Sequence, residues 1–216
     1  MSVYAKMIKV NKTIQGQRVL CDINLEFHQG RIYGLQGKNG SGKTMLLRAL
    51  CGLIIPNTGE VIVNNQTLNA KHSFPESVGI LIEYPVFLPQ YTGFRNLQLL
   101  ASIRKQITDD QIRESLLWVG LQPEDKRKYK KYSLGMKQRL GIAQAIMEDP
   151  ELLLLDEPTN ALDSDAVESM RELLLNLKNK GKTIIVASHD REEIDYLADE
   201  KIILENGRVT SIEVIS

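Results

Sequence analysis

The chain carries the stretch Gly37-Lys38-Asn39-Gly40-Ser41-Gly42-Lys43-Thr44, which fits the pattern GxxxxGK[ST] of a phosphate-binding loop. The residues before it, 31–35, predict a strand, and residues 43–50 predict a helix. A strand, a glycine-rich loop and a helix N-terminus in this order direct several backbone N–H groups at one phosphate. A turn that only joined strand to helix would not explain Lys43, which reaches terminal phosphates, or Thr44, whose hydroxyl ligates Mg²⁺. All eight residues are therefore predicted to bind a nucleotide.

A second candidate element follows the unbroken apolar run 152–155, which is typical of a central parallel strand. This strand ends in Asp156 and Glu157, at the edge of the predicted sheet. Asp156 is expected to hold the metal directly or through water. Glu157 is expected to polarise the attacking water, a contribution of about 10² to 10⁴ in rate for a general base. A polar strand end alone has little meaning, but beside a phosphate-binding loop it predicts catalysis.

Strands and helices alternate along most of the chain, which predicts an α/β fold with a parallel sheet. Two segments near the start, 19–27 and 60–63, predict an antiparallel β subdomain. Helical spacing between the breakers Gly93 and Gly120 predicts an inserted α-helical subdomain at about 84–135. We therefore expect a P-loop NTPase core in a single domain, 1–216. Its other predicted elements are the strands 78–82 and 183–187 and the helices 134–147 and 165–180.

Composition restricts the possible partners and location. The 216 residues contain 27 basic and 27 acidic side chains, so no net charge attracts nucleic acid, and no nucleic-acid partner is expected. The longest apolar stretch, 49–55, is far shorter than the roughly 18 residues of a membrane-spanning helix. Lys6 and Lys9 interrupt any secretory signal, which predicts a cytosolic protein. Cys21 and Cys51 form no CxxC pair and are predicted to be buried, reduced thiols.

Three further segments carry a family resemblance. The stretch Tyr132-Ser133-Leu134-Gly135-Met136-Lys137-Gln138-Arg139-Leu140 resembles the LSGGQ signature of ATP-binding cassette (ABC) proteins. Ala161-Leu162-Asp163 looks like the D-loop of that family, and His189 looks like its switch histidine. The order and spacing match from Val10 to near Val209. The resemblance implies the ABC ATPase fold, hydrolysis of ATP with Mg²⁺, and catalytic roles for Glu157 and His189.

The resemblance also implies a head-to-tail dimer with a second ABC ATPase subunit, either a copy of this chain or a relative. Each ATP would lie between the phosphate-binding loop of one subunit and the signature of the other. Ser133 would offer its hydroxyl, and Gly135 its backbone N–H, to the terminal phosphate on the opposite subunit. His189 would contact the terminal phosphate and help position water and Glu157. ATP binding and hydrolysis would then close and open the dimer.

Several positions depart from the family pattern. Glu83 stands where the family usually has a glutamine that touches the metal; its carboxylate can ligate Mg²⁺ but adds negative charge beside the phosphates. Leu134 and Met136 replace a glycine and a glutamine of the signature, and Ile14 takes the place of an aromatic that stacks on adenine. With Glu83, the signature resembles that of bacterial cassettes which export bacitracin, lantibiotics and similar peptides or drugs.

The resemblance implies a polytopic membrane permease as partner, which would hold the subunit on the inner face of the cell membrane. The expected docking surface is the loop 84–96, with the rings of Pro85, Phe87, Pro89, Tyr91 and Phe94, although these rings would also suit a core of the helical lobe. The basic run 126–131 is expected to be a solvated loop. The rival hypothesis is a soluble ABC ATPase that acts on ribosomes or DNA. A plain P-loop kinase or GTPase would leave the signature and His189 unexplained.

Overall fold

The computed structural model describes residues 2–72 and 74–215, which form two β-sheets with helices around them. The strands are β1 Val3–Ile14, β2 Gln17–His28, β3 Ile32–Gln36, β4 Thr58–Val63, β5 Gln66–Thr67, β6 Val78–Leu81, β7 Leu152–Asp156, β8 Thr183–Ser188, β9 Glu200–Glu205 and β10 Arg208–Val214. The helices are α1 Lys43–Leu50, α2 Gly93–Arg104, α3 Asp109–Trp118, α4 Leu134–Ile146, α5 Ser164–Asn179 and α6 Arg191–Leu197, with a 3₁₀ turn at Tyr129–Lys131. In this described part of the chain, no helix has the length and apolar character to cross a bilayer.

The central sheet has the strand order β10-β9-β3-β8-β7-β6, and its strands pair in parallel except at β10. Strand β7 is buried on both faces: Leu152 and Leu154 belong to one apolar cluster, and Leu153 and Leu155 belong to another. A strand covered on both sides requires such a continuous apolar sequence. Asp156 is the last residue of β7, so it lies at the carboxyl edge of the sheet, where open α/β sheets bind their ligands.

The second sheet is antiparallel, with the order β2-β1-β4-β5. Its inner face shares an apolar cluster with α1 and one face of the central sheet, through residues such as Phe27, Leu47 and Leu154. Asn64 and Asn65 have φ values of 46° and 63° and join β4 to β5, as expected of asparagine in a tight hairpin turn. The predicted combination of a parallel sheet with an antiparallel β section is confirmed.

Helices α2 and α3 lie in the segment between β6 and α4. Thr92 caps α2 by accepting a hydrogen bond from the Arg95 amide, and Thr108 forms a capping box with Gln111 at the start of α3. Helix α2 therefore begins at Gly93 itself, a residue that by sequence alone indicates a break, because its cap is the preceding Thr92. The core of these helices continues into that of α4 and α5. The predicted subdomain boundary at about 84–135 stays a prediction.

The elements that the sequence patterns miss include β1, β5, α6 and β9. Strand β1 loses its alternation because its register shifts between Met7 and Val10, where Lys9 has a φ of 49°. Helix α6 has only seven residues, too short for a clear helical period. Cys21 and Cys51 are buried and free, as predicted.

Candidate nucleotide site

The phosphate-binding loop connects β3 to α1, and its backbone turns at Gly40 and Gly42, whose φ values are 79° and 109°. Glycine adopts such values at little steric cost. A Cβ on Gly42 would also lie 2.9 Å from the carbonyl oxygen of Val19. Within the described residues no side chain caps the start of α1, so its first N–H groups are available to an anion. The loop thus has the backbone geometry of the predicted phosphate cradle.

Two side chains of this loop turn inward. The Lys43 ammonium is buried and donates to the carbonyl oxygen of Gly37 at 2.6 Å, so a positive charge is held inside the loop rather than in solvent. The Ser41 hydroxyl oxygen is also buried, and it has no hydrogen-bond partner among the residues that the structure describes. Buried polar groups of this kind are normally satisfied, so the orphaned hydroxyl fits a loop that a phosphate completes.

The Thr44 hydroxyl donates a hydrogen bond of 2.6 Å to Oδ2 of Asp156, which brings together two of the three predicted metal ligands. Hydroxyl and carboxylate oxygens are ligands that Mg²⁺ accepts, so this pair fits the ion. The described residues contain no group of three or more His, Cys, Asp or Glu side chains arranged for a metal. That agrees with the usual binding of Mg²⁺, in which one or two protein oxygens are joined by phosphates and water.

Burial raises the pKa of the Asp156 carboxyl above its usual range, and the negative charges of Glu157 and Glu83 raise it further. The hydrogen bond from Thr44 and the charge of Lys43 act in the opposite direction. The carboxylate therefore lies in an environment that disfavours its negative charge. A divalent cation beside it would reverse this effect, because the ion stabilises the ionised form.

Glu157 follows β7 and has a φ of 50°, a left-handed backbone that is uncommon for a residue with a side chain. Its carboxylate accepts a hydrogen bond from the backbone N–H of His189 at 3.0 Å, and Nδ1 of His189 lies 2.8 Å from its other oxygen. The His189 side chain is 65% exposed and lines a cavity of about 750 Å³ beside residues 37–41 of the phosphate-binding loop. The structure thus brings together the two side chains predicted to be catalytic.

Glu83 lies just beyond β6 and also has a left-handed backbone, with a φ of 63°. Its carboxylate forms an ion pair of 2.5 Å with Arg48 of α1, and its side chain is 61% exposed. Glu83 nevertheless lines a cavity of about 530 Å³ together with Thr44, Asp156 and Glu157. The carboxylate is therefore close enough to act on the site electrostatically, while its role as a metal ligand stays a prediction.

Ser133 and Gly135 lie at the start of α4. The Ser133 hydroxyl caps this helix by accepting a hydrogen bond from the Met136 amide at 3.2 Å. Gly135 packs against the carbonyl oxygen of Ala161, so closely that a Cβ would lie 2.9 Å from it. Among the described residues, neither signature residue lines the cavity at the phosphate-binding loop. Their predicted contact with a phosphate therefore depends on a second subunit.

The same cavity has no aromatic side chain for stacking on a nucleotide base among the described residues. Gln17, Arg18 and Val19 of β2 line it beside the loop. Ile14, at the family's stacking position, is half-buried at the end of β1 and does not line the cavity either.

The loop 84–96 divides into a buried and an exposed part. Phe87 is buried and packs edge-on against Tyr129 with ring centroids 5.3 Å apart, and Phe94 packs against the same core. Phe87 therefore belongs to the core of the helical lobe, the alternative named for these rings, whereas Phe94 is half-buried, and docking at this loop stays a prediction. Tyr84 and Val86 are 64% and 90% exposed and line a groove of about 470 Å³.

Sequence reasoning missed three residues that support this site. Arg48 pairs with Glu83, Gln138 contacts the backbone at Glu157, and Glu193 is buried against Thr159, whose hydroxyl donates to it at 2.7 Å. Helical periodicity indicates the orientation of Arg48 and Gln138, on α1 and α4, but not that of Glu193, because α6 is too short for a clear period. It carries no signal for their partners, which come from distant parts of the chain.

Comparison with known proteins agrees with this geometry. The family model for ABC transporters matches residues 20–160. The ABC transporter ATP-binding protein YybJ of Bacillus subtilis (strain 168) is 47% identical over 210 residues, which cover 97% of this chain and 96% of that protein. The bacitracin transport ATP-binding protein BcrA of Enterococcus faecalis is 40% identical over 88% of this chain, but this match covers only 63% of BcrA. The predicted resemblance to the bacitracin-type cassettes is therefore confirmed.

A solved structure gives the same result. The dimeric structure of a post-hydrolysis state of the ATP-binding cassette MJ0796, bound to ADP and Pi, matches with a TM-score of 0.91 and 26% identity, over 98% of this chain and 99% of that chain. The predicted ABC ATPase fold and ATPase activity are confirmed, which removes the kinase and GTPase alternatives. The chain belongs to the ABC transporter family, as an ATP-hydrolysing, ATP-binding subunit.

Proposed function

We propose that this subunit drives a polytopic membrane permease through ATP-dependent closure of a cassette dimer, and that the cargo is a peptide antibiotic, bacteriocin or drug that is exported. One observation carries the catalytic part of this proposal. The structure brings Thr44, Asp156, Glu157 and His189 to the same edge of the central sheet, beside the phosphate-binding loop. That is the set of groups that phosphoryl transfer to water requires.

In this proposal the backbone N–H groups of the loop and the Lys43 ammonium bind the phosphates. Lys43 exchanges its bonds to loop carbonyls for bonds to phosphate oxygens. The Glu157 carboxylate accepts a proton from the attacking water, and His189 orients that carboxylate through its N–H group and its ring. Thr44 and Asp156 would hold Mg²⁺, with Glu83 as a further oxygen ligand at the same cavity. The ion, when bound, neutralises charge on the phosphate oxygens.

The proposed dimer is supported by the position of the signature residues. Ser133 and Gly135 lie at the N-terminus of α4, outside the cavity of their own subunit, so they are free to meet the terminal phosphate bound by another subunit. To change the ratio of closed to open dimers from 1:99 to 99:1, ATP must bind the closed dimer about 10⁴-fold more tightly than the open one. A phosphate held from both sides is a sufficient source of this preference. The second subunit is a copy of this chain or a related cassette.

The permease is proposed to dock at the groove beside β6. Its exposed apolar side chains, Tyr84 and Val86, border Leu53, which follows α1, and Glu83, which faces the nucleotide cavity. A helix of the permease seated there would contact the same segment that senses the phosphates. Docking at this groove would hold the subunit on the cytoplasmic face of the cell membrane. Export of a peptide or drug is proposed because BcrA, a bacitracin transport protein, is among the relatives.

The catalytic proposal is tested by Glu157→Gln, which keeps the size and most hydrogen bonds of the side chain but removes the general base. We expect ATP binding to persist, turnover to fall by about 10² to 10⁴-fold, and ATP to trap a dimer in size-exclusion chromatography. Turnover close to that of the unmodified protein would overturn the role of Glu157.

The partner is tested by gentle detergent extraction of membranes from cells that express a tagged subunit. Stoichiometric recovery of a polytopic membrane protein supports the permease, and the transported compound is then sought with the purified complex. Recovery with ribosomes or DNA would instead support the rival hypothesis of a soluble ABC ATPase. Nucleic-acid binding that weakens as salt is raised would be its second sign.

A further inference from the structure

Helix α4 contacts the segment that follows the proposed general base at three points along its first two turns. Gly135 packs against the carbonyl oxygen of Ala161. Arg139 lies one turn further on, with Nη2 3.8 Å from Oδ1 of Asp163. Between them, Gln138 turns inward and is only 5% exposed. The signature helix and the segment 157–163 are therefore packed together within one subunit.

Gln138 makes the most specific of these contacts. Its side-chain Nε2 donates hydrogen bonds to the carbonyl oxygen of Glu157 at 2.9 Å and to the carbonyl oxygen of Pro158 at 3.1 Å. Both amide hydrogens are thus used, and both acceptors belong to the backbone at the catalytic glutamate. A buried amide with two satisfied donors fixes the orientation of the groups it contacts.

The backbone at Glu157 needs such support. Its φ of 50° is unfavourable for a residue with a Cβ, and a conformation of this kind persists where surrounding contacts impose it. The next residue, Pro158, has no N–H group to add a backbone hydrogen bond. The Glu157 N–H donates to the carbonyl oxygen of Ala187 at 2.8 Å, which holds one side of the peptide. On the other side, the Glu157 carbonyl oxygen accepts hydrogen bonds from the Asn160 N–H at 3.2 Å and from Gln138, and Gln138 alone also bonds the Pro158 carbonyl oxygen among the contacts of the described residues.

We propose that Gln138 is a positioning residue for Glu157, which fixes the left-handed backbone from which the catalytic carboxylate projects. This inference rests on the proposed role of Glu157 as general base. It also connects the two ATP sites of a dimer. The helix that presents Ser133 and Gly135 to the ATP on the opposite subunit also orients the base that acts on the ATP of its own subunit. Binding of the signature to the ATP on the opposite subunit therefore affects the alignment of the Glu157 carboxylate with the ATP on its own subunit.

The test compares Gln138→Met, which keeps length and volume but has no donor, with Gln144→Met on the same helix. The Gln144 side chain is half-buried and makes no hydrogen bond within the described part of the chain. It borders the groove proposed for the permease, so the rates are compared in the isolated subunit, where no permease is present and Gln144→Met is a control. Steady-state ATPase rates are divided by the number of ATP-binding sites measured by equilibrium titration. For Gln138→Met we expect kcat per site to fall about 10- to 100-fold with KM changed less than about threefold, because small displacements of a catalytic group cost this much. Gln144→Met is expected to keep the normal kcat.

The results distinguish a role of Gln138 in positioning Glu157 from a role in folding alone. A purely structural role would reduce the number of ATP-binding sites but leave kcat per site unchanged, and that result would overturn the proposal. If Gln138→Met yields no ATP-binding protein, Gln138→Asn is measured, since its amide is one methylene too short to reach both carbonyls. The same loss of kcat supports the proposal; normal kcat, or failure of both variants to bind ATP, overturns it.

The double variant Gln138→Met with Glu157→Gln separates this inference from the proposed function. We expect it to form the ATP-trapped dimer as well as Glu157→Gln alone, because the Gln138 amide acts on the base and not on ATP binding. Loss of that dimer would overturn the positioning role. Normal turnover in Glu157→Gln alone would show that Glu157 is not the general base, which contradicts the proposed function. Normal turnover in Gln138→Met alone would contradict only the positioning role of Gln138.

Discussion

The substitution Gly42→Ala tests whether the shape of the phosphate-binding loop is imposed by glycine. Gly42 has a φ of 109°, which lies beyond the left-handed region that an alanine tolerates, and its carbonyl accepts the first hydrogen bond of α1 from Leu46 at 2.9 Å. An alanine Cβ would in addition lie 2.9 Å from the carbonyl oxygen of Val19. The added Cβ therefore causes both backbone strain and a steric clash with the Val19 carbonyl oxygen.

The expected magnitude follows from these two effects. A side chain in a sparsely populated backbone region costs of order 1 to 3 kcal/mol. Relief of a contact this short with a backbone oxygen requires a local shift, at a cost of about 1 to 3 kcal/mol. We expect the free energy of unfolding of Gly42→Ala to fall by roughly 2 to 6 kcal/mol in total. Gly181→Ala is the control, because Gly181 has a φ of 88° but no atom within 4 Å of the place where its Cβ would lie.

The assay is urea unfolding of both variants followed by ATP titration. Gly181→Ala is expected to lose only the backbone contribution, about 1 kcal/mol, and to bind ATP normally. Gly42→Ala is expected to lose more stability and to bind ATP at least about tenfold more weakly, since the N–H groups of a shifted loop no longer converge on the phosphates. Equal stability losses in the two variants, with unchanged ATP affinity in both, would refute the reasoning.

Substitutions at three further residues have expected outcomes. Burial raises the pKa of Glu193 above its ordinary value of 4.5, so the stability due to its proton is complete below that pH and is lost as pH rises through the folded-state pKa. Glu193→Gln is therefore expected to raise Tm by calorimetry more at about pH 8 than at about pH 5; an increase independent of pH would contradict this. Glu83→Gln removes a negative charge near Asp156, so ATP should bind a few-fold more tightly in an equilibrium titration, whereas weaker binding would show that the carboxylate is needed for Mg²⁺. Ser133→Ala removes the cap of α4 and should lower the free energy of unfolding by about 1 kcal/mol, with reduced turnover. Ser133→Asp should keep the cap but repel the phosphate, so normal turnover in that variant would contradict the proposed contact.

The parts of the site that the sequence predicts are those encoded by local signals. The loop 37–44 contains its own turn residues, cation and hydroxyl, and the run before Asp156 reports a strand buried on both faces. The predicted bounds of the strands and helices around them agree with those in the structure within a few residues. Once these elements are placed in a parallel sheet, Asp156 and the loop must meet at the carboxyl edge, so their contact is also predictable.

The parts that the sequence does not predict depend on long-range pairing. Glu83 is expected beside the metal, and it does line the cavity, but no local pattern indicates that Arg48 pairs with its carboxylate. The two carbonyl acceptors of Gln138 are backbone atoms, which carry no residue-specific signal in any sequence. The loop 84–96 shows the same limit, since the apolar rings that fill a lobe and those that face solvent have similar local sequence.

The polar side chains proposed to act on ATP already have partners within the protein. Lys43 bonds loop carbonyls, Thr44 bonds a carboxylate, Ser133 accepts from a backbone amide, and His189 contacts the base beside it. Binding of ATP must exchange these hydrogen bonds for new ones, and an exchanged bond contributes only about 0.5 to 1.5 kcal/mol, or about 1.5 to 3 when a charge is involved. One subunit alone therefore gains little preference from these side chains. The roughly 10⁴-fold bias that a two-state switch requires must come from adding the signature of a second subunit, which is why we expect ATP to act on the dimer rather than on the isolated chain.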